Sequence, residues 1–318
     1  MDEPNDLIRW TIFVFAGGDA GIWGALSIAT VVMLSFRPGL ARPIRPLYVG
    51  GVVAFGLIFV ACGSTPMPAW FQLTTLLWLV LALSKLWVRT FGVSPSADLP
   101  TVTKVSTSHF ILFLSPFVWL LTAIAIELPF HLWFAPAEHV SKLLVIGDSV
   151  TAGLNDGENT WPRQLSRAAA VEVLDASQPG ATLQSARQQN SRLSDEIGLV
   201  VLEIGGNDML EGLAVTRFED DLDHLLAEVT QSGRSAVMFE LPLPPFCAAY
   251  GAAQRRQAKR HRVHLIPKRL FAKVLTTRGA TVDGIHLSER GQSQMMELIQ
   301  MLLGDRLRPG KGTFQRFE

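Results

Sequence analysis

The chain is short of cysteine, short of charge across its first half, and without a surplus of either sign. Its 318 residues contain two cysteines, Cys62 and Cys247, too few for a disulfide framework and without the spacing of a metal site. Both read as small apolar residues. Lys and Arg number 28 and Asp and Glu number 28, a formal net charge of zero, so no general attraction to nucleic acid or acidic polymers is implied. His224, His261 and His264 lie in no metal-ligand arrangement. Neither metal nor cofactor is called for.

The scarcity of charge is uneven. Up to about residue 140 apolar runs dominate, and beyond it acids and bases alternate as in a globular domain. We therefore divide the chain into a membrane region, 1–136, and a second domain, 137–318. Four stretches, at about 10–36, 47–63, 69–89 and 109–134, approach the roughly 20 helical residues that cross a hydrocarbon core. The first lacks the basic start and cleavage site of a signal peptide. "LIFVACGS", ending at Cys62, is similar to a lipoprotein processing site, but an earlier apolar segment precedes it and Phe59 stands where Leu is usual.

Basic residues flanking spans stay on the cytoplasmic side. Arg37, Arg42 and Arg45 lie between the first two stretches and Lys85, Arg89 and Lys104 between the last two, whereas "GSTPMPA" is uncharged and the start carries Asp2, Glu3 and Asp6. Both termini are expected outside. The layout is that of a multi-pass inner-membrane protein with its second domain on the periplasmic or extracellular side. Trp10, Trp70, Trp87 and Trp133 suit the interfaces, and the acids Asp19 and Glu127 are expected either to line a polar recess below the outer surface or, for Glu127, to pair with His131 one turn away.

From residue 142 the runs "KLLVIG", "VEVLDAS", "LVVLEIGG", "SAVMFELPLP" and "VHLIP" alternate with helical patterns such as "RFEDDLDHLLAEVTQSG". Near-continuous Val, Ile and Leu with intervening helices predicts a parallel sheet covered on both faces. The expected fold class is α/β: a three-layer α/β/α sandwich on a five-stranded, flavodoxin-like parallel sheet, preceded by about four transmembrane helices. Ligands of such sheets bind beyond the carboxyl ends of the strands. There the polar blocks collect: Gly147-Asp148-Ser149, "ASQPG" with Gly180, Gly205-Gly206-Asn207-Asp208, and "VDGIHLSERG" with Asp283 and His286 ahead of a last helix at about 288–303.

These four blocks, in this order and separation, resemble the SGNH (GDSL) hydrolases over residues 141 to 306. The resemblance departs only in Val150, where the namesake has Leu, and in Pro179 before the second block. It implies a serine esterase needing no metal or cofactor, with an oxyanion hole formed by the N–H groups of Ser149 and Gly180 and the amide of Asn207. The residues argue similar chemistry. A serine hydroxyl needs a base, for which His286 is available, and Asp283 can hold the imidazole in the right tautomer. Ser149 could also cap a helix, Gly205 bends the chain so that Asn207 points inward, and Asp148 and Asp208 accept loop N–H groups.

The expected partners are an ester substrate, either lipid or acylated glycan, and the bilayer. Acetyl groups on glycans, acyl groups on lysophospholipids, thioesters and simple esters all fall within the resemblance. Two other readings are a membrane O-acyltransferase using the second domain, and a non-catalytic carbohydrate-binding domain. The basic stretch from 252, "AAQRRQAKRHRVHLIPKR", reads as a solvated helix face, or as a contact for anionic head groups. The prolines Pro242, Pro244 and Pro245 predict a stiff rim after the fourth strand.

Overall fold

A computed structural model of the chain describes residues 11, 13–17, 24, 26, 65–77, 80, 107–169 and 171–307, with backbone alone for 107–117 and 232. Most of the four expected spans, Asp19, Cys62, Trp10, Trp87 and the basic loops fall outside the described residues.

The α/β domain is built on five parallel strands, β1 (Lys142–Gly147), β2 (Glu172–Asp175), β3 (Leu199–Glu203), β4 (Ser235–Phe239) and β5 (His264–Ile266), in the order β2-β1-β3-β4-β5. Each falls inside the run expected for it. The period of two sorts each strand's side chains between two cores. Leu143, Val145, Val201, Val237 and Phe239 face one side, against Trp161 and Leu165 of α3 (Trp161–Ala168), Phe271 of α8 (Lys268–Thr276) and Met295 and Ile299 of α9 (Glu289–Leu303). Leu144, Ile146, Val200, Leu202 and Met238 face the other, against Leu183 of α4 (Leu183–Gln189), Phe218 and Leu222 of α6 (Val215–Val229) and Ala253 of α7 (Ala248–His261). Between them lie two one-turn helices, α2 (Ser149–Ala152) and α5 (Gly206–Leu210). Three layers result, as the sequence predicts.

Ahead of the sheet runs α1 (Thr107–His131). Its Trp119 stacks on Phe71 of the helical segment 69–77, centroids 5.6 Å apart, and donates its indole N–H to Thr75 Oγ1 at 2.6 Å. Val118, Leu121, Ile124 and Leu128 of α1 and Trp70, Leu73, Leu76 and Leu77 of the segment are exposed. Among the described residues no helix is long and apolar enough to cross a membrane; the described side chains of α1 begin at Val118.

Three expectations are corrected at the seam between α1 and the sheet. Glu127 pairs with neither His131 nor a recess: buried, it takes two hydrogen bonds from Arg255 of α7, at 2.7 and 3.1 Å. Arg255 in turn is not on a solvated face. It donates to Glu240 at 2.6 Å, with Lys268 Nζ 3.9 Å from the same carboxylate and the ring of Phe130 stacked on the guanidinium at 3.7 Å. Burial works against the charge of Arg255, but Glu240 and Glu127 outweigh it and push its pKa up. Its neighbours are also engaged, Arg256 with Glu219 at 2.7 Å and Arg260 with Asp223 at 3.0 Å on α6. Trp133 sits at no interface either, packing on the core and donating to the carbonyl of Leu302 at 3.1 Å.

Candidate active site

The site is built where β1 and β3 end. Gly147 closes β1, and a Cβ there would come within 2.7 Å of the Thr151 side chain, so only glycine lets the chain turn this tightly into α2. Asp148 caps that turn, accepting the Val150 N–H at 3.0 Å, and Ser149 follows as the first residue of α2, 8% exposed. Two buried glutamines brace it. Gln189 holds the Gly147 peptide from both sides, at 3.1 Å to its N–H and 3.1 Å to its carbonyl. Gln292 bonds the Val150 carbonyl at 3.3 Å and the Trp161 N–H at 2.8 Å.

His286 reaches the same point from the far end of the sequence. Its Nε2 lies 3.0 Å from Ser149 Oγ and its Nδ1 2.5 Å from Asp283 Oδ2. The other oxygen of Asp283 accepts the N–H groups of Ile285 at 3.0 Å and His286 at 2.9 Å, fixing the loop around Gly284, whose φ is +95°. Partial burial opposes ionisation of Asp283, but the imidazole and the two N–H groups outweigh it and bring its pKa down to about 2. The loop closes by the Val282–His286 backbone bond at 2.9 Å and is seated by Gly291, where any side chain would strike the Ala280 carbonyl.

Three further donors come from the blocks at the strand ends. Gly205, two residues past β3, has φ +102°, is tight against Phe218, and turns the chain so that Asn207 follows in α5. One hydrogen of the Asn207 amide is given to the Ala181 carbonyl at 2.9 Å, leaving a second to point elsewhere. Gly180 has φ +74°, and neither its N–H nor that of Ser149 donates to another described residue. Asp208 does not enter the site: it is buried and accepts the Leu183 N–H at 3.0 Å, which ties the loop of Gly180 to α5. A hydroxyl 3.0 Å from an imidazole that is backed by a carboxylate is an arrangement able to carry out acyl transfer.

Residues 145–294 match the GDSL-like lipase/acylhydrolase family. An arylesterase of Vibrio mimicus is 26% identical over 178 residues, 52% of this chain and 89% of that protein. Esterase TesA of Pseudomonas aeruginosa is 29% identical over 174 residues, 49% of this chain and 85% of that protein. A crystal structure of TesA is 26% identical and covers 52% of this chain and 99% of its own, with a TM-score of 0.47. Residues 145–294 form a GDSL/SGNH hydrolase domain. It is an ester-hydrolysing enzyme.

Beneath the nucleophile block the hydrolase domain buries Glu203 beside Asp148, a neighbour that sequence patterns do not reveal. Glu203, the last residue of β3, lies 2% exposed and accepts the Thr151 hydroxyl at 2.9 Å. Burial first, and then the adjacent charge of Asp148, push its pKa well up. Asp148 is itself raised to about 6, by burial, with the Val150 N–H and Glu203 acting in opposition. In the sequence Glu203 reads as one polar residue at the end of a strand. The clamps Gln189 and Gln292 are equally silent, since a glutamine in a helix gives no sign of facing inward. Among the described residues no cluster of His, Cys, Asp and Glu is suited to a metal ion.

Proposed function

We propose that the chain is a membrane-anchored serine esterase, with 1–136 a multi-pass anchor and 137–318 a hydrolase domain on the periplasmic or extracellular side. Ser149 is the nucleophile, His286 its base, and Asp283 the group that orients and stabilises the imidazolium. The observation that carries this reading is the 3.0 Å approach of His286 Nε2 to Ser149 Oγ with Asp283 2.5 Å behind.

The reaction then runs in two displacements. Ser149 Oγ attacks the ester carbonyl as its proton passes to His286 Nε2, forming the new C–O bond and an oxyanion held by the N–H groups of Ser149 and Gly180 and the Asn207 amide. Collapse breaks the bond to the alcohol, which leaves with the proton from His286. Water repeats the sequence on the acyl-serine, His286 taking its proton and returning one to Ser149. The exposed apolar side chains along α1 and along 69–77 support the anchor, because adjacent helices with apolar outer faces suit lipid. The arylesterase and esterase names of the relatives support carboxylic esters as substrates.

The test is ester hydrolysis by the full-length protein in detergent, across acyl chains from acetyl to palmitoyl, with Ser149→Ala as the blank. Turnover lost in that variant supports the reading, and its chain-length preference divides small esters and glycan acetyl groups from lipid acyl groups. No Ser149-dependent turnover at any length refutes it.

A further inference from the structure

The hydrolase domain's exposed apolar side chains are unevenly placed. Among the described residues from 142 on, six large hydrophobic side chains are exposed, and five of them, Leu154, Leu210, Phe246, Val282 and Ile285, lie on the segments that follow strands at the carboxyl edge of the sheet. Leu154 follows α2, Leu210 ends α5, Phe246 follows β4 at φ +68°, and Val282 and Ile285 flank Asp283. Met301 alone lies elsewhere, near the end of α9 away from the loop of His286. Scattered apolar residues on a surface need no explanation. Five gathered at the edge that carries the nucleophile do.

The amino-terminal half meets the domain at that same edge. Glu127 reaches Arg255 and, through it, Glu240 just past β4 and Lys268 just past β5. Pro66 lies against Gly251 at the start of α7, and Gly17 lies against Arg269 at the start of α8. The chain after α1 runs the other way: Leu132 and Phe134 border one cavity with Val263 and His264, at the opening of β5, and Trp133 between them bonds Leu302 near the end of α9. Traced backward from Phe134, the chain climbs along β5 from its first residue to past its last, and α1 continues beyond the carboxyl edge. Thr107 to Glu127 is a rise of about 30 Å at 1.5 Å per residue, the thickness of a hydrocarbon core.

We infer that the catalytic edge is a lipid-facing surface, held by the buried Glu127–Arg255–Glu240 cluster so that its apolar loops rest on the bilayer into which α1 extends. The inference rests on the membrane reading above and deepens it. The buried pair Glu127–Arg255 resists rotation of the domain about α1, because turning the domain would part the two charges and leave each without the other. Ester-bearing amphiphiles then reach Ser149 from the membrane surface, their acyl chains passing the apolar loops.

Nitroxide labels at L154C, F246C, M301C and, on α1, L121C report the geometry in full-length protein lacking its own cysteines (C62S/C247S), reconstituted into phosphatidylcholine–phosphatidylglycerol vesicles. Collisions with oxygen, which partitions into lipid, are compared with collisions with a water-soluble nickel chelate. The expected result is an oxygen-to-nickel ratio at Leu154 and Phe246 at least about threefold above that at Met301, with the Leu121 label higher still. Rim labels as open to nickel as the Met301 label, beside a lipid-buried Leu121 label, overturn the orientation alone. A Leu121 label open to nickel overturns the membrane reading with it. Hydrolysis of a soluble acetate ester by the same samples reports separately on the esterase chemistry, and its absence leaves the label ratios decisive for orientation.

Discussion

Arg255 and Glu127 share two hydrogen bonds across 128 positions of sequence, with both side chains at or below 7% exposure. Because Arg255 also serves Glu240, the two partners are not equivalent. Arg255→Leu strands the buried Glu127 and leaves Glu240 with Lys268 alone, and is expected to cost about 3–5 kcal/mol, whereas Glu127→Leu leaves Arg255 with Glu240 and costs less. Thermal unfolding of the full-length protein in detergent checks the order. Equal losses would show that Glu240 does not share the guanidinium.

Asp283→Asn keeps the shape of the loop but removes the charge that holds the imidazole. A fall in kcat on the order of 10²–10⁴ is expected with little change in KM. With its pKa down at about 2, Asp283 loses its contribution to folding only as pH drops from about 4 toward 2. Acid inactivation of the wild type above pH 4 therefore lies with another group, and a pH–rate profile whose acid limb disappears in the Asn variant would contradict that.

Asn207→Ala removes the amide proposed to bind the developing oxyanion and also releases the Ala181 carbonyl, 2.9 Å away. Loss of one such donor costs roughly 10²–10³ in kcat. Because the Gly180 loop slackens as well, the upper end is expected. A variant within a factor of about three of wild type would remove Asn207 from the oxyanion hole.

Glu203 and Asp148 bind protons more tightly folded than unfolded, so both weaken the fold as pH rises: Asp148 across about pH 4 to 6, and Glu203 from its ordinary 4.5 upward. Glu203→Gln keeps a donor for Asp148 and an acceptor for Thr151 while removing the second ionisation. Its melting temperature is expected to fall less between pH 5 and pH 8 than that of the wild type. Parallel curves would mean that Glu203 does not titrate in that range.

Much of the domain was legible because a buried parallel sheet writes itself as unbroken apolar runs. "KLLVIG" and "LVVLE" can do little else. The polar blocks were legible because each follows such a run, which puts Ser149, Gly180, Asn207 and His286 at one edge. What escaped were residues whose roles depend on the direction a side chain takes from a helix or a strand end. Arg255 sits among Arg256, Lys259 and Arg260, and nothing in that basic run marks the one that turns inward. Glu127 was noticed as an acid in an apolar helix, but its partner lies too far along the chain to be named from periodicity. Trp133 looked interfacial because tryptophan at the end of an apolar helix suits an interface and a core edge equally.

The most direct measurement is intact-mass analysis of the full-length protein after treatment with a fluorophosphonate ester, alongside Ser149→Ala and His286→Ala. The account predicts one phosphonyl adduct on the peptide carrying Ser149, absent from the first variant and much slower to form in the second, with loss of ester hydrolysis in step with labelling. Folded protein that hydrolyses esters with Ser149 unlabelled, or that labels as fast without His286, would contradict it.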